Sequence, residues 1–205
     1  MANMAELAWT IHRMKNGGIR IQVKSVGKPV QKLLRTKREY MNKFINHLKA
    51  AEPYGDIWLY IDSTGGSVDS AMGMIAALGM AGWKKHKMRI LIEGNCGSAA
   101  TLLLSLPWPV YITETSRIFL HMPFHARYVK NGDGYRRKTV SAIGFNSTAG
   151  MFVGEYRRAC RRNGIKHTKK EIKLLMEEGK SFTPQEAVEF GFCKEIMNRW
   201  EFDKG

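Results

Sequence analysis

Alternating apolar and polar positions open the chain. Within residues 18–26, Ile19, Ile21 and Val23 alternate with polar side chains, which is the two-residue period of a half-buried strand. Residues 36–51 instead carry apolar side chains at helical spacing between basic ones. The first quarter of the chain is therefore predicted to hold a strand followed by an amphipathic helix.

The middle of the chain alternates between two patterns. Short β-prone runs bounded by turn formers are followed by runs of small and apolar residues at helical spacing. The predicted order is strand, helix, strand, helix, strand and strand, over residues 56–62, 68–82, 87–93, 99–106, 110–112 and 117–120. Such alternation favours an α/β domain with a largely parallel sheet.

Turn and cap signals divide the second half of the chain. Residues 131–134, Asn-Gly-Asp-Gly, predict a turn, and residues 135–162 are compatible with one long helix although three glycines weaken it. A threonine followed three residues later by glutamate has capping-box spacing, and it predicts two further helices over residues 168–176 and 183–190.

Length and hydrophobicity indicate one domain. The 205 residues, 44% of them hydrophobic, suffice for one core, so residues 1–205 are interpreted as a single domain. No run approaches the roughly 18 to 20 apolar residues that a membrane helix needs, and the first ten residues lack the regions of a signal peptide. We therefore expect a soluble protein of the cytoplasm without a membrane partner.

Cysteine and histidine positions give no reason to expect a metal. The cysteines, Cys96, Cys160 and Cys193, are odd in number and lack CxxC spacing, so they are expected to be small buried hydrophobes. The six histidines are scattered, and no pair has a metal-ligand spacing beside further ligands. We expect neither a metal nor another cofactor.

Positive charge is the main bias of the composition. The 33 lysines and arginines against 18 acidic residues give a net charge of +15. The basic residues cluster at residues 24–43, 84–89 and 157–173, without a zinc-finger pattern or an aromatic RNA-binding signature. Solvated helix faces explain most of this charge, and a nucleic-acid-binding module is the less favoured alternative.

Two glycine-rich turns carry the candidate chemistry, because each follows a buried strand and leads into a helix amino terminus. In the second turn Ser98 is flanked by Gly97 and Ala99, and His121 ends a later strand. One interpretation is a serine nucleophile with a histidine base, and with N–H groups of Gly66 and Ala99 as oxyanion donors. Spacing alone favours the alternative, in which Ser98 only caps a helix and Gly65-Gly66 forms a tight or phosphate-binding turn.

Four segments carry a family resemblance. Residues 62–68, Asp-Ser-Thr-Gly-Gly-Ser-Val, resemble Asn-Ser-Pro-Gly-Gly-Ser-Val of ClpP, the proteolytic subunit of Clp proteases. Residues 94–100, Gly-Asn-Cys-Gly-Ser-Ala-Ala, resemble its nucleophile turn, Gly-x-Ala-Ala-Ser-Met-Gly. Residues 116–123, Ser-Arg-Ile-Phe-Leu-His-Met-Pro, are similar to its Ser-Arg-x-Met-Ile-His-x-Pro segment, and residues 183–191 are similar to its Ser-Ala-x-Glu-Ala-x-Glu-Tyr-Gly. Four matches in the same order are far more specific than one.

The resemblance implies both a fold and an activity. The fold is ClpP/crotonase-like, with stacked ββα units, a largely parallel sheet and a protruding handle helix within about residues 124–165. The activity is cleavage of unfolded polypeptides, with Ser98 as nucleophile, His121 as general base, and an oxyanion hole from the backbone of Gly66 and Ala99. Self-association into one or two stacked rings and an AAA+ unfoldase partner are also implied.

The resemblance does not extend to residues 1–51, which correspond to the part of ClpP that shapes the axial pore and docks the unfoldase. This divergence leaves the choice of partner open. Together with the basic charge, it resembles phage and prophage relatives of ClpP. Action on virion proteins, in the host cytoplasm or in the virion, is therefore a subsidiary hypothesis that rests on analogy.

The third member of the triad is the point where the sequence departs from the family. The family aspartate falls on Gly179, and Glu178 and Glu177 precede it directly. We expect Glu178 to complete the triad, with Glu177 as second choice and the absence of any carboxylate as a further possibility. His125 and His167 match no family position and are expected to be surface histidines.

Two other classes of protein compete with an active peptidase. The first is a catalytically weak or inactive ring subunit, in which Gly179 marks a lost triad, although the presence of both Ser98 and His121 argues against it. The second is an acyl-CoA enzyme of the crotonase superfamily, which shares the fold but needs neither of those two side chains. Labelling of Ser98 by a fluorophosphonate would separate the peptidase from both.

Overall fold

The computed structural model describes residues 9–13, 19–23, 57–80, 88–131, 134–140 and 146–198. Its strands are β1 (Trp9–Arg13), β2 (Ile19–Val23), β3 (Ile57–Ser63), β4 (Met88–Gly97), β5 (Val110–Thr113), β6 (Arg117–Phe119), β7 (His125–Asn131), β8 (Gly134–Val140), β9 (Ser181–Phe182) and β10 (Glu195–Met197). Its helices are α1 (Val68–Met80), a 3₁₀ helix (Ser98–Ser105), α2 (Asn146–Arg162), α3 (Lys169–Glu178) and α4 (Pro184–Glu189).

Most strands join one largely parallel sheet, as the sequence predicts. The strand order is β1-β2-β3-β4-β5-β10, and every neighbouring pair is parallel except β1 with β2. β6 also runs parallel to β4, but it pairs with the last residues of that strand, beyond the part that pairs with β5. β5 and β6 therefore pair with successive parts of β4, and β6 leads to His121.

Both faces of the central strands are buried, which explains their nearly continuous apolar sequence. Leu59 and Ile61 of β3 belong to the main core, whereas Tyr60 between them belongs to a second cluster with Leu91 and Tyr111. Successive side chains of a strand point to opposite faces, so the two clusters lie on the two sides of the sheet. The main core also includes the buried 3₁₀ helix, against which α1 and α2 pack.

The structure corrects the long helix predicted over residues 135–162. Residues 134–140 form β8, which pairs antiparallel with β7 in a separate two-stranded sheet, and α2 begins only at Asn146. The helical interpretation gave too little weight to the β-forming residues Tyr135, Thr139 and Val140, and to the turn formers that pair these strands into a hairpin. The helix predicted over residues 36–51 lies outside the described residues.

Both predicted capping boxes are confirmed. Thr168 caps α3 and Thr183 caps α4; in each case the threonine hydroxyl accepts from the glutamate N–H three residues later, and the glutamate side chain accepts from the threonine N–H. The run predicted as a helix over residues 99–106 is a 3₁₀ helix that begins one residue earlier, at Ser98. No helix among the described residues is long and apolar enough to cross a membrane.

Candidate active site

Ser98 has the one non-glycine backbone with positive φ in the described part of the chain. Its φ is 51°, whereas Gly97 before it is extended and the 3₁₀ helix follows it. A left-handed conformation costs a side-chain-bearing residue roughly 1–3 kcal/mol and persists only where the surroundings impose it. The half-buried Ser98 side chain is thus held at a sharp turn between the end of β4 and a helix.

The first glycine-rich turn packs directly on the second. The N–H of Gly65 donates to Ser63 Oγ over 3.2 Å, and Gly65 has a φ of 114°. A Cβ atom at Gly65 would lie 2.5 Å from the Cβ of Ser98 and 3.2 Å from the backbone nitrogen of Ala99. The two predicted oxyanion donors, on Gly66 and Ala99, therefore belong to two loops in direct contact.

His121 leaves the sheet at the same end as Ser98. β4 and β6 are parallel neighbours in which Gly97 is opposite Phe119, so Ser98 and His121 follow adjacent strands at their carboxyl ends. Catalytic groups collect at this end of parallel sheets. Within the described residues, however, no hydrogen bond joins the Ser98 hydroxyl to the His121 ring, and the structure leaves that predicted pairing untested.

The end of α3 holds the backbone on both sides of His121. The N–H of Leu120 donates to the Lys180 carbonyl over 2.9 Å, and the N–H of Met122 donates to the Met176 carbonyl over 3.0 Å. The segment 176–180 therefore runs alongside the histidine. It contains both glutamates predicted as candidates for the third member of the triad.

The His121 ring has a backbone partner. Its Nδ1 lies 2.7 Å from the carbonyl oxygen of Met122, and its ring lies between those of Phe119 and Phe124, with centroid distances of 5.4 and 5.3 Å. A carbonyl oxygen can only accept, so Nδ1 carries a proton, and in the neutral ring the lone pair is then on Nε2. This tautomer is the one that a general base acting through Nε2 requires.

Among the described residues no carboxylate makes a hydrogen bond to Nδ1 of His121, the place of the triad carboxylate that the family resemblance implies. Glu178 is the exposed last residue of α3, Glu177 lies 3.4 Å from the Lys173 ammonium, and Gly179 ends the helix with a φ of 69°. A Cβ atom at Gly179 would lie 3.9 Å from the Phe119 ring. The Met122 carbonyl could not have been found from the sequence, because every residue has one.

The remaining candidate side chains lie outside this site or have no described side-chain position. His167 is half-buried, stacks on Phe190 at 3.8 Å and shares a hydrogen bond with the Phe190 carbonyl, so it is a packing residue and not a free surface histidine. His125 begins β7. The cysteines are buried and free, as predicted, and burial raises the pKa of the Cys96 thiol.

Comparison with known proteins gives the family. The family model for Clp protease matches residues 29–200, which is most of the chain. This chain belongs to the Clp protease family. It is 28% identical over 158 residues to ATP-dependent Clp protease proteolytic subunit 2 of Streptomyces avermitilis, covering 75% of this chain and 72% of that protein. It is also 28% identical over 152 residues to the subunit of the same name from Bifidobacterium longum, covering 73% and 68%.

Clp protease membership confirms the fold class and the peptidase family that the sequence motifs predict. The described residues contain no group of three or more potential metal ligands. One contact close to Ser98 could not be predicted from the sequence motifs. It is a buried contact between Thr101 of the 3₁₀ helix and Tyr156 of α2, which are 55 positions apart in the sequence.

Proposed function

We propose that this Clp protease family member is a serine endopeptidase in which Ser98 is the nucleophile and His121 is the general base. The left-handed turn at Ser98 carries the proposal, because it is a costly conformation at the end of the strand beside the one that leads to His121. The Met122 hydrogen bond supports it further, because it selects the neutral tautomer whose lone pair is on Nε2.

In this mechanism the Ser98 hydroxyl transfers its proton to His121 Nε2 as Oγ attacks the scissile carbonyl. The oxyanion of the tetrahedral intermediate accepts from the N–H groups of Gly66 and Ala99, and the imidazolium then protonates the departing amine. A water molecule, deprotonated by His121, attacks the acyl-enzyme in the second half of the reaction. As the second tetrahedral intermediate collapses, the bond between the acyl carbon and Ser98 Oγ breaks, the imidazolium returns the proton to Oγ, and the carboxylic acid product leaves.

Glu178 is our candidate for the third member of the triad. The Met122 carbonyl fixes the tautomer of the resting histidine but carries no full negative charge to stabilise the imidazolium. Of the two glutamates beside His121, Glu177 is already paired with Lys173, whereas Glu178 is the exposed residue at the turn. Rotation of the Glu178 side chain toward Nδ1 would supply the missing charge.

The substrates and partners that we propose follow the family. The relatives are named as proteolytic subunits of an ATP-dependent Clp protease. By analogy, this chain assembles into one or two stacked rings, cleaves unfolded polypeptides inside them and receives substrates from an AAA+ unfoldase or by diffusion. A cytoplasmic location, and a phage or virion role for this branch, remain predictions.

A fluorophosphonate probe tests the activity. We expect the assembled protein to be labelled on Ser98 and to degrade casein. Ser98→Ala should lose both, His121→Ala should lose at least about 10³-fold in labelling rate, and Ser147→Ala should change neither, because Ser147 is an exposed residue near the start of α2.

Other outcomes would assign a different function. An assembled protein that is not labelled and does not bind acyl-CoA would be an inactive ring subunit. Tight acyl-CoA binding without labelling of Ser98 would indicate a crotonase-like enzyme, and salt-sensitive binding to DNA would indicate a nucleic-acid-binding module.

A further inference from the structure

A buried pair of hydroxyl groups connects the Ser98 turn to α2. The Thr101 hydroxyl donates to the carbonyl oxygen of Ser98, and the Tyr156 hydroxyl lies 2.6 Å from Thr101 Oγ1. Both Thr101 and Tyr156 are fully buried. No part of the proposed catalytic cycle uses either residue, so their polar contact needs its own explanation.

The direction of these hydrogen bonds follows from burial. Burial is the largest cause of a Tyr156 pKa raised far above its usual value, so the phenol stays protonated and can donate. Because the Ser98 carbonyl can only accept, the Thr101 proton points to it, and Thr101 Oγ1 accepts from Tyr156. Tyr156 itself is fixed by edge-on ring contacts with Phe152 and Phe192 at 5.8 and 5.7 Å.

We propose that Thr101 and Tyr156 are positioning residues for the nucleophile, which hold the carbonyl of Ser98 and thereby keep its backbone in the left-handed conformation. A strained residue persists only if surrounding contacts fix it on both sides. The strand pairing of β4 with β6 fixes Gly97 before the turn, and the buried hydroxyl pair fixes the Ser98 carbonyl after it. The inference rests on the proposed role of Ser98.

Buried hydroxyls usually find a partner, so the hydrogen bonds alone do not show a positioning role. Ser105 provides the matched comparison. It is buried in the same 3₁₀ helix, and its hydroxyl donates to the carbonyl three residues earlier, that of Leu102, over 2.8 Å. Loss of its hydroxyl should lower the stability of the same helix without removing a contact to Ser98.

The experiment measures the labelling rate of Ser98 by a fluorophosphonate in four variants. Thr101→Val, which keeps the shape but removes the hydroxyl, should lower the rate about tenfold, and Tyr156→Phe should lower it about threefold. Thr101→Ser keeps the hydroxyl and should stay within about twofold of the wild type. Ser105→Ala should leave the rate unchanged although it also lowers the melting temperature, by less than Thr101→Val because it removes one buried hydrogen bond instead of two.

The double variant tests whether Tyr156 acts on Ser98 only through the Thr101 hydroxyl. If Tyr156 acts only through the Thr101 hydroxyl, Thr101→Val/Tyr156→Phe should label no more slowly than Thr101→Val alone. With a peptide substrate, these variants should lower kcat and leave KM nearly unchanged, because no substrate contact is removed. Equal losses in Ser105→Ala and Thr101→Val, or full activity of Thr101→Val, would overturn the proposal.

Amide hydrogen exchange separates this inference from the proposed function. Exchange in residues 97–101 should accelerate in Thr101→Val and Tyr156→Phe, but not in Ser105→Ala. If wild-type Ser98 is not labelled at all, the proposed function fails, and the exchange data still decide whether the hydroxyl pair holds the turn. Unchanged exchange in Thr101→Val would refute the positioning role on its own.

Discussion

Ser98, the proposed nucleophile, combines a side-chain hydroxyl with an unfavourable backbone conformation. A glycine would adopt its φ of 51° without strain, but a glycine has no hydroxyl. Serine therefore places a hydroxyl at the turn between β4 and the 3₁₀ helix at the expense of stability. The strain belongs to the folded state and is measurable without any substrate.

Replacing Ser98 tests this strain directly. Ser98→Gly should be more stable than Ser98→Ala by about 1 kcal/mol, because only alanine keeps the Cβ atom in the left-handed conformation. At Ser105, where φ is not positive, the order should reverse, with Ser105→Gly less stable by roughly 0.5–1 kcal/mol. Denaturant unfolding of the four variants at one protein concentration gives the comparison; equal stability of the two Ser98 variants would remove the strain argument.

Gly65 is expected to tolerate no side chain. In Gly65→Ala the new Cβ would lie 2.5 Å from Ser98 Cβ and 2.8 Å from the Gly97 oxygen, at a φ of 114°. We predict a loss of at least about 2 kcal/mol in unfolding free energy and loss of Ser98 labelling. Gly154→Ala, in α2 with open space around the new Cβ, should instead stabilise by about 0.5–1 kcal/mol. Normal labelling of Gly65→Ala would contradict the close packing of the two turns.

Replacing Glu178 tests whether it is the third member of the triad, and replacing its neighbour Glu177 is the control. Glu178→Gln should lower kcat about tenfold, less than the loss of a buried triad carboxylate, because the Met122 carbonyl still fixes the tautomer of His121. Glu177→Gln should leave kcat unchanged. Peptide hydrolysis by the two variants measures this. If Glu178→Gln keeps full kcat, Glu178 is not the third member of the triad, and the Met122 carbonyl is the only group among the described residues that orients His121 through Nδ1.

At the scale of helices and strands, the sequence predicted those elements whose burial produces a regular apolar pattern. β3, α1 and both capped helices fall where periodicity and caps placed them, because their burial dictates the pattern, whereas β4 begins as predicted but continues to Gly97, through most of the predicted glycine-rich turn. The hairpin of β7 and β8 pairs apart from the main sheet, so no core-facing alternation marked it. Likewise, motif resemblance could find Ser98 and His121, but not the partners that side chains meet only after folding.

The cap of α4 extends beyond its helix. Glu186 accepts from the Thr183 N–H and, over 2.6 Å, from the ammonium of Lys180, whose carbonyl in turn holds Leu120 beside His121. The Lys180 hydrogen bond is the largest cause that lowers the pKa of Glu186 to about 2. A short helix at the end of the domain thereby supports the backbone next to the proposed base.

Glu186→Gln should show a pH-dependent loss of stability. We expect a deficit of about 0.5 kcal/mol in unfolding free energy at neutral pH, because glutamine can still cap the helix but loses the charge interaction with the partly exposed Lys180 ammonium. Because the folded-state pKa is depressed, the advantage of the wild type is present above about pH 4.5 and disappears as pH falls toward about 2. Denaturant unfolding across this range is the measurement. Glu189→Gln, an exposed change in the same helix, is the control, and a pH-independent deficit in Glu186→Gln would contradict the linkage.

At the scale of the whole molecule, the three buried thiols report on opening of the core. Burial raises the pKa of Cys96 and Cys193, and it is also the largest cause that raises the pKa of Cys160 to about 12. Thiols react as thiolates, so the folded protein should resist alkylation. The nearness of Cys96 to Ser98 in sequence then gives no cysteine chemistry to the site.

Iodoacetamide should separate folded from unfolded protein. We predict no modification of the native protein and no inhibition of Ser98 labelling, whereas denaturant should expose all three cysteines to alkylation. Mass spectrometry counts the modified sites. Rapid alkylation of Cys96 in the native protein, accompanied by loss of activity, would show that the core beside Ser98 opens readily.

The two backbone hydrogen bonds between the segment 176–180 and the neighbours of His121 make the position of the histidine independent of some nearby side chains. They are made by main-chain atoms of Met176 and Lys180, and the φ of 69° at Gly179 favours glycine there, so side chains at positions 177 and 178 can be exchanged without displacing the histidine. A carboxylate can therefore be lost at one of these positions and regained at another while the base stays in place.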